Sequence, residues 1–364
     1  MDGETPGKVR DAVAAMAPYR PGKAASQAEE EHGISNAIKL ASNENPWSPV
    51  PAVVAAIKVA STGVNRYGDN GATDLRHAIG EWIDVDPSWI TIGCGSSGVL
   101  QQVMFSYVDA GDEVVFPWPS FEIYPVFSKL FDATDVRVDL DGYGFDLDAV
   151  AAAVSDRTKV VFLATPNNPT GASISTASVA VLLDAIPDDV MVVIDEAYRE
   201  FNEPQYGDPV RDLLADRPNL IVTRTFSKAF GLAGLRVGYG VAHPGVISLL
   251  DRTRLAFSVN NAAQAGAIAA IEHEAEAMVR VAELIDERTR VVEILEAGNH
   301  PIGPANANFV FLPTGDDTDR IAYEMEREGV VVRPFPGFGM RVTIGTPAEN
   351  DRWLAAFQKA VAGG

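Results

Sequence analysis

The stretch RTFSKAFGLAGLR, residues 224–236, places Lys228 shortly after the apolar run Leu220-Ile221-Val222. The run predicts a buried strand, and a lysine just past such a strand can lose its proton and attack a carbonyl carbon. A phosphate beside it would find three hydrogen-bond donors, Thr225, Ser227 and Arg236. A lysine amine next to a phosphate site is what pyridoxal 5′-phosphate requires. Taken alone, however, Lys228 fits an exposed loop lysine better.

A second apolar run, Val190–Ile194, ends at Asp195, and Tyr198 follows three residues later. Such a run is expected of a parallel strand covered on both faces, and open α/β sheets bind ligands beyond the carboxyl ends of their strands. A carboxylate there can keep a pyridine nitrogen protonated, and a tyrosine hydroxyl can hydrogen-bond the ring oxygen. Taken alone, Asp195 fits a helix cap or a turn about as well.

A third polar segment, Pro-Asn-Asn-Pro-Thr-Gly at 166–171, follows the predicted strand Lys159–Leu163. Asn168 can donate its amide to the ring oxygen, although Asn, Pro and Gly also make plain turns. The deciding feature is the order of polar residues, each beside the carboxyl end of a predicted strand: Asn168, Asp195, Tyr198, Lys228 and Arg236. This order resembles the fold-type I aminotransferases, which use pyridoxal 5′-phosphate, and the resemblance covers nearly the whole chain.

Three further motifs resemble the histidinol-phosphate aminotransferase subfamily of that fold type. They are KLASNENP at 39–46, NRYGDN at 65–70 and RVTIGT at 341–346. The subfamily usually has proline where Gly68 stands. The resemblance implies that Tyr67 reaches the cofactor phosphate of the partner subunit, so we expect a homodimer with shared active sites. It also implies that Phe121 stacks on the pyridine ring and that the substrate contacts Arg341, Arg333, Asn43 and Tyr19.

Residues 93–98, Gly-Cys-Gly-Ser-Ser-Gly, fit the G-x-G-x-x-G pattern of dinucleotide sites, with Glu113 twenty residues beyond Gly93. Backbone N–H groups at a helix N-terminus bind other phosphates by the same physics. We assign Gly95, Ser96 and Ser97 to the phosphate of pyridoxal phosphate. Many subfamily members have acidic residues at positions 97 and 98. The form found here, together with Trp118, more resembles the aromatic amino acid aminotransferase branch, although Trp118 fits a structural role equally well.

Composition excludes several classes of protein. The net charge of −21 and the pI near 4.6 disfavour binding to nucleic acid or to anionic membranes. No apolar stretch is long enough to span a bilayer, no signal peptide is apparent, and the single Cys94 fits a reducing compartment, so we expect a cytoplasmic protein. The five histidines lack metal-ligand spacing, which predicts no metal site.

Alternating strands and helices predict an α/β fold: a large doubly wound, mostly parallel sheet and a small α+β domain. We expect an N-terminal arm at 1–47 that packs on the small domain and the partner, a cofactor-binding domain at 48–245 and a small domain at 246–364. The arm includes a short helix at 8–17 and an extended part at 18–38. The predicted strands are 89–93, 113–116, 133–138, 158–163, 190–194, 219–224 and 235–241, then 308–312, 330–333 and 340–344. Residues 260–297, 317–328 and 348–361 read as helices.

The expected activity is transfer of an amino group from phenylalanine or tyrosine to 2-oxoglutarate by a ping-pong mechanism, with Lys228 as the general acid/base. Histidinol-phosphate aminotransferase is the alternative, because Arg341 and Arg333 suit a carboxylate or a phosphate. Three other classes of protein can be distinguished from an aminotransferase. A nicotinamide dehydrogenase would lack the absorbance of pyridoxal phosphate. A regulator of the pyridoxal-binding kind would carry a DNA-binding domain, and a decarboxylase of the same fold would release carbon dioxide.

Overall fold

The computed structural model describes residues 7–16 and 22–363 of the chain. The strands over this part are β1 Ile38–Lys39, β2 Ile90–Cys94, β3 Glu113–Trp118, β4 Thr134–Asp139, β5 Thr158–Ala164, β6 Met191–Asp195, β7 Leu220–Thr225, β8 Val237–Ala242, β9 Phe309–Leu312, β10 Val330–Val331, β11 Arg333–Phe335 and β12 Gly339–Thr343. The α-helices are α1 Asp11–Ala14, α2 Ala25–His32, α3 Pro51–Ser61, α4 Thr73–Ile83, α5 Ser96–Tyr107, α6 Ile123–Leu130, α7 Leu147–Ala152, α8 Thr176–Ala185, α9 Pro209–Asp212, α10 Pro244–Thr253, α11 Asn261–Glu272, α12 Glu274–Ala297, α13 Thr318–Arg327 and α14 Pro347–Ala362.

The large sheet has seven strands in the order β2-β8-β7-β6-β5-β3-β4. All neighbours pair in parallel except β8, which runs against both β2 and β7. All seven strands predicted between residues 89 and 241 form, with their ends shifted by two residues at most. The sequence therefore predicted the strands of this sheet and its mostly parallel character correctly.

Two apolar cores lie on the two faces of the large sheet. Along β5, Val161 and Leu163 belong to one core, and Val160 and Phe162 belong to the other. Successive side chains of a strand point to opposite faces, so a continuous apolar run is stable only when both faces are covered. The predicted doubly wound α/β class is confirmed.

A small antiparallel sheet has the order β11-β12-β9, and β1 pairs in parallel with β10. The single strand predicted at 330–333 is wrong, since residues 330–331 pair with β1 whereas 333–335 pair with β12. The single helix predicted at 260–297 is also divided, because the backbone leaves helical geometry at His273, where φ is −114°.

The extended conformation predicted for 18–38 is wrong where residues 25–32 form α2. The segment Ala-Ser-Gln-Ala-Glu-Glu-Glu-His is rich in helix-forming residues, and Gly33 ends the helix in the left-handed region at φ 63°. The short helix predicted at 8–17 forms at Asp11–Ala14. The N-terminal segment meets the small sheet region through the β1–β10 pair.

The domain limits at 47 and 245 stay predictions. Helix α10, which spans the predicted limit at 245, packs on α5, and the next helix, α11, packs on α3 and α4. Both helices therefore contact elements of the large sheet unit. This packing favours a limit later in the chain than residue 245. Among the described residues, no helix combines the length and the apolar character needed to cross a membrane.

Candidate active site

A cavity of about 350 Å³ lies beyond the carboxyl ends of β5, β6 and β7. Residues from the large sheet, the N-terminal segment and the small sheet all line it. Thirteen predicted site residues contribute to its wall: Asn43, Ser96, Ser97, Phe121, Asn168, Asp195, Tyr198, Thr225, Ser227, Lys228, Arg236, Arg333 and Arg341. Residues far apart in the sequence thus meet where open α/β sheets bind ligands.

Lys228 follows β7 and extends into this cavity. Its Nζ donates to the carbonyl oxygen of Ser42 at 3.1 Å and lies 5.8 Å from the ring centroid of Tyr198. Burial lowers the pKa of Lys228 to about 7, and the positive charge of Arg341 acts in the same direction. A substantial fraction of the amine is therefore neutral near pH 7, as a nucleophile or general base requires.

Asp195 is the last residue of β6 and is almost fully buried. The Thr223 hydroxyl donates to one carboxylate oxygen at 3.1 Å, and the Tyr124 hydroxyl donates to the other at 3.2 Å. Burial raises the pKa of Asp195 to about 6, although these hydrogen bonds oppose the shift. The group is ionised above that pH, so it can pair with a buried cation such as a protonated pyridine.

Hydroxyls and a guanidinium converge on the N-terminus of α5, which begins at Ser96. Gly95 has φ 71°, and a Cβ at this position would collide with the guanidinium of Arg236. Arg236 donates to the Cys94 carbonyl at 3.4 Å, and the Thr225 hydroxyl donates to Ser227 at 2.9 Å. Helix N–H groups, hydroxyls and an arginine form a donor set that fits a phosphate.

The opposite end of the cavity connects the two sheets. Arg341 of β12 donates to the side-chain oxygen of Asn168 and to the carbonyl of Ala41. The Asn43 amide donates to the Tyr198 hydroxyl at 2.9 Å. Since the oxygen of Asn168 accepts from Arg341, its amide nitrogen remains the donor that was predicted for the cofactor ring.

The family model for aminotransferase class I and II matches residues 35–357. The chain belongs to this aminotransferase family. It is 43% identical to the aromatic amino acid aminotransferase of Thermobifida fusca, with 97% of each chain covered. It is 44% identical to the protein of that name from Cutibacterium acnes, over 97% of this chain and 99% of the relative.

Solved structures agree with this assignment. A histidinol-phosphate aminotransferase from Sinorhizobium meliloti, in complex with pyridoxal 5′-phosphate, has a TM-score of 0.90 at 28% identity, with 98% of each chain covered. An aspartate aminotransferase from Thermus thermophilus with maleate has a TM-score of 0.84 at 24% identity, covering 97% of this chain and 100% of that one, and shows the same fold. The predicted resemblance to fold-type I aminotransferases is confirmed.

Two predicted site residues of this aminotransferase that the structure describes, Gly95 and Tyr67, do not line the cavity. Gly95 lies just behind the wall against Arg236. Tyr67 is 83% exposed and stacks on Phe257 at 4.5 Å between ring centroids. Tyr19 lies outside the described residues. A role for Tyr67 in the partner's site stays a prediction.

Trp118 and Glu113 lie away from the cavity wall. Trp118 packs under the guanidinium of Arg137, 4.6 Å from the ring centroid, which is a structural contact. Glu113 is the first residue of β3 and accepts from Ser155 and Arg157. It therefore stands at the amino end of its strand, opposite to the ligand edge, and the dinucleotide interpretation loses its acidic partner.

Sequence reasoning missed four groups in or beside the cavity. Thr223 could have been found, because it lies two residues before Thr225 on the same strand and faces the same side. The Ser42 carbonyl and the buried Tyr124 hydroxyl carry no sequence signal. Glu122 lines the cavity and accepts a hydrogen bond from Arg333.

Within residues 7–16 and 22–363, one group of potential metal ligands lies close together, Glu31, His32 and Glu326. The Lys23 amine donates to both glutamates, so one positive charge already offsets part of their negative charge. The expected absence of a metal remains a prediction.

Proposed function

We propose that this aminotransferase binds pyridoxal 5′-phosphate and transfers the amino group of phenylalanine or tyrosine to 2-oxoglutarate by a ping-pong mechanism. The observation that carries the proposal is one cavity lined by Lys228 with a lowered pKa, by the buried Asp195 and by a phosphate-type donor set. The choice of aromatic donors is supported by relatives with that name at 43% and 44% identity.

The residues present fit the cofactor. The Lys228 amine would bond to its aldehyde carbon, and Asp195 would pair with its pyridine nitrogen. Asn168 and Tyr198 would hydrogen-bond its ring oxygen, and Phe121 would cover a ring face. The phosphate would lie among Ser96, Ser97, Thr225, Ser227 and Arg236. When bound, the cofactor supplies an electron sink for negative charge at the substrate α-carbon.

The chain's own residues then perform the proton transfer. Once the substrate amine has replaced Lys228 on the cofactor, the freed Lys228 amine, neutral in part near pH 7, would take the proton from the substrate α-carbon. It would then deliver that proton to the cofactor carbon that carries the amino group, and not back to the α-carbon. The negative charge of Asp195 would stabilise the protonated form of the pyridine nitrogen. Arg341 binds the α-carboxylate, and its hydrogen bonds to Asn168 and Ala41 keep the guanidinium in place. We also propose a cytoplasmic homodimer in which Tyr67 completes the partner's site.

Initial rates with a panel of amino donors test this function. The holoenzyme is assayed with 2-oxoglutarate and with phenylalanine, tyrosine or histidinol phosphate, and glutamate formation is followed. We expect kcat/KM to be higher for phenylalanine or tyrosine than for histidinol phosphate. If histidinol phosphate is used tenfold or more better than phenylalanine, the histidinol-phosphate alternative replaces the aromatic proposal.

A further inference from the structure

Arg333 and Glu122 form an ion pair in the wall of the cavity, and this pair has no role in the proton transfer described above. Arg333, the first residue of β11, donates to the Glu122 carboxylate at 2.5 Å. The side chain of Arg333 is 14% exposed and that of Glu122 is 36% exposed. Glu122 follows Phe121 and precedes α6, so the pair links the large sheet unit to the small sheet.

The two arginines of the cavity lie directly opposite each other. Arg333 and Arg341 are cross-strand partners in the β11–β12 pair, so their side chains leave the same face of the small sheet. Like charges in this relation repel, and the carboxylate of Glu122 offsets part of that repulsion.

Four other charged groups line the described part of the cavity wall, and each has a partner or a proposed partner. Glu44 forms an ion pair with Lys39 at 3.0 Å. The proposed cofactor would engage Asp195, Lys228 and Arg236. Among the described lining residues, Arg341, Arg333 and Glu122 form the charged group at the proposed anion-binding end, and together they carry one net positive charge.

We propose that Glu122 makes this aminotransferase prefer a carboxylate to a phosphate at the anion-binding end of its substrate. This inference rests on the proposed function. One net positive charge matches the single negative charge of an α-carboxylate. A phosphate monoester carries about −1.5 to −2 at pH 7 and suits two uncompensated guanidinium groups. Because Glu122 pairs with Arg333, a phosphate must share that guanidinium with the carboxylate, and the negative charge of Glu122 repels it.

Glu122→Gln tests the inference, because the amide keeps the shape of the side chain and can still accept from Arg333. The measured quantity is the ratio of kcat/KM for histidinol phosphate to kcat/KM for phenylalanine, with 2-oxoglutarate as acceptor. We expect the ratio to rise roughly two- to fivefold, the size of effect that partly exposed charge pairs produce. Inhibition by inorganic phosphate should strengthen relative to inhibition by acetate. Glu122→Ala should shift both quantities in the same direction.

Glu328→Gln is the matched control. Glu328 pairs with Lys359 on the exposed surface and does not line the cavity. The substitution therefore removes one negative charge from the protein and should leave the ratio unchanged. In a second control, Glu122→Gln is combined with Arg333→Gln, and the gain for histidinol phosphate should disappear.

A ratio that changes less than twofold in Glu122→Gln overturns the inference, as does a gain that persists when Arg333 is also replaced. These outcomes differ from failure of the proposed function, in which the unmodified enzyme would use histidinol phosphate tenfold or more better than phenylalanine, or would transfer the amino group of neither phenylalanine nor tyrosine.

Discussion

At the scale of single residues, Lys228 combines a low pKa with a position at the end of a buried strand. Lys228→Ala removes both the amine that would hold the cofactor and the base. We expect loss of the visible absorbance of bound pyridoxal phosphate and loss of transamination. Absorbance spectra and glutamate formation are the measurements.

Lys58→Ala is a control for this substitution, because Lys58 is exposed on α3, away from the cavity. It should keep both signals. A Lys228→Ala enzyme with near-normal turnover would show that another group moves the proton.

Asp195→Asn should affect activity and stability in opposite directions. Loss of one partner of a buried charged pair costs roughly 3–5 kcal/mol, which is about a hundred- to several-thousandfold in rate if it falls wholly on the transition state.

The stability of the cofactor-free protein should change in the opposite direction. Burial raises the pKa of Asp195 to about 6, so the folded state binds more protons than the unfolded state between the ordinary Asp pKa and pH 6.

The ionised Asp195 therefore lowers the free energy of unfolding above pH 6 when no cofactor is bound. We expect the asparagine variant without cofactor to have a higher Tm than the unmodified protein at pH 8, with the difference disappearing near pH 4. Thermal unfolding at both pH values measures this. A rate loss of less than a few-fold would mean that another group holds the ring nitrogen.

At the scale of elements, the turn between β2 and α5 brings the helix N-terminus and Arg236 together. Gly95→Ala should weaken cofactor binding, since the added Cβ displaces the Arg236 guanidinium. Gly111→Ala is the matched control, because Gly111 also has a positive φ, 88°, but open space around it. Both substitutions strain the backbone by ~1–3 kcal/mol.

Only Gly95→Ala should raise the Kd for pyridoxal phosphate, by roughly tenfold or more if one charge-assisted hydrogen bond is lost. Titration of the cofactor-free protein with pyridoxal phosphate measures the Kd. Equal Kd values for the two variants would argue that Arg236 does not bind the phosphate.

At the scale of the whole molecule, the family resemblance assigns the exposed Tyr67 to the partner's site and so predicts an active site built from two chains. Tyr67→Ala and Lys228→Ala subunits each lack one part of such a site. Random mixing gives heterodimers in half of the dimers, each with one intact site, so about a quarter of the unmodified activity should return. Refolding the mixed subunits and assaying transamination is the experiment. Recovery no greater than the sum of the separate variants would argue against a shared site.

The prediction from sequence succeeded where the signal is local. The large sheet and the positions of Asn168, Asp195 and Lys228 follow from apolar runs that end in polar residues. It failed at 18–38, where prolines and a glycine at one end concealed the helix α2. The sequence pattern indicates no role for Glu196. In the structure, Glu196 follows β6 and accepts a hydrogen bond from Arg224 of β7 at 2.8 Å, which forms a buried ion pair.

The sequence by itself determined where the strands lie along the chain and which polar residues follow them, because strand period and strand ends are properties of neighbouring residues. Only the tertiary structure decided which distant groups meet. Tyr124 donates to Asp195 across 71 positions, and Arg333 donates to Glu122 across 211. These contacts depend on how two sheets and their connecting loops pack, and packing brings residues together regardless of their separation in the chain. The balance of charge around the substrate is therefore a property of the folded molecule.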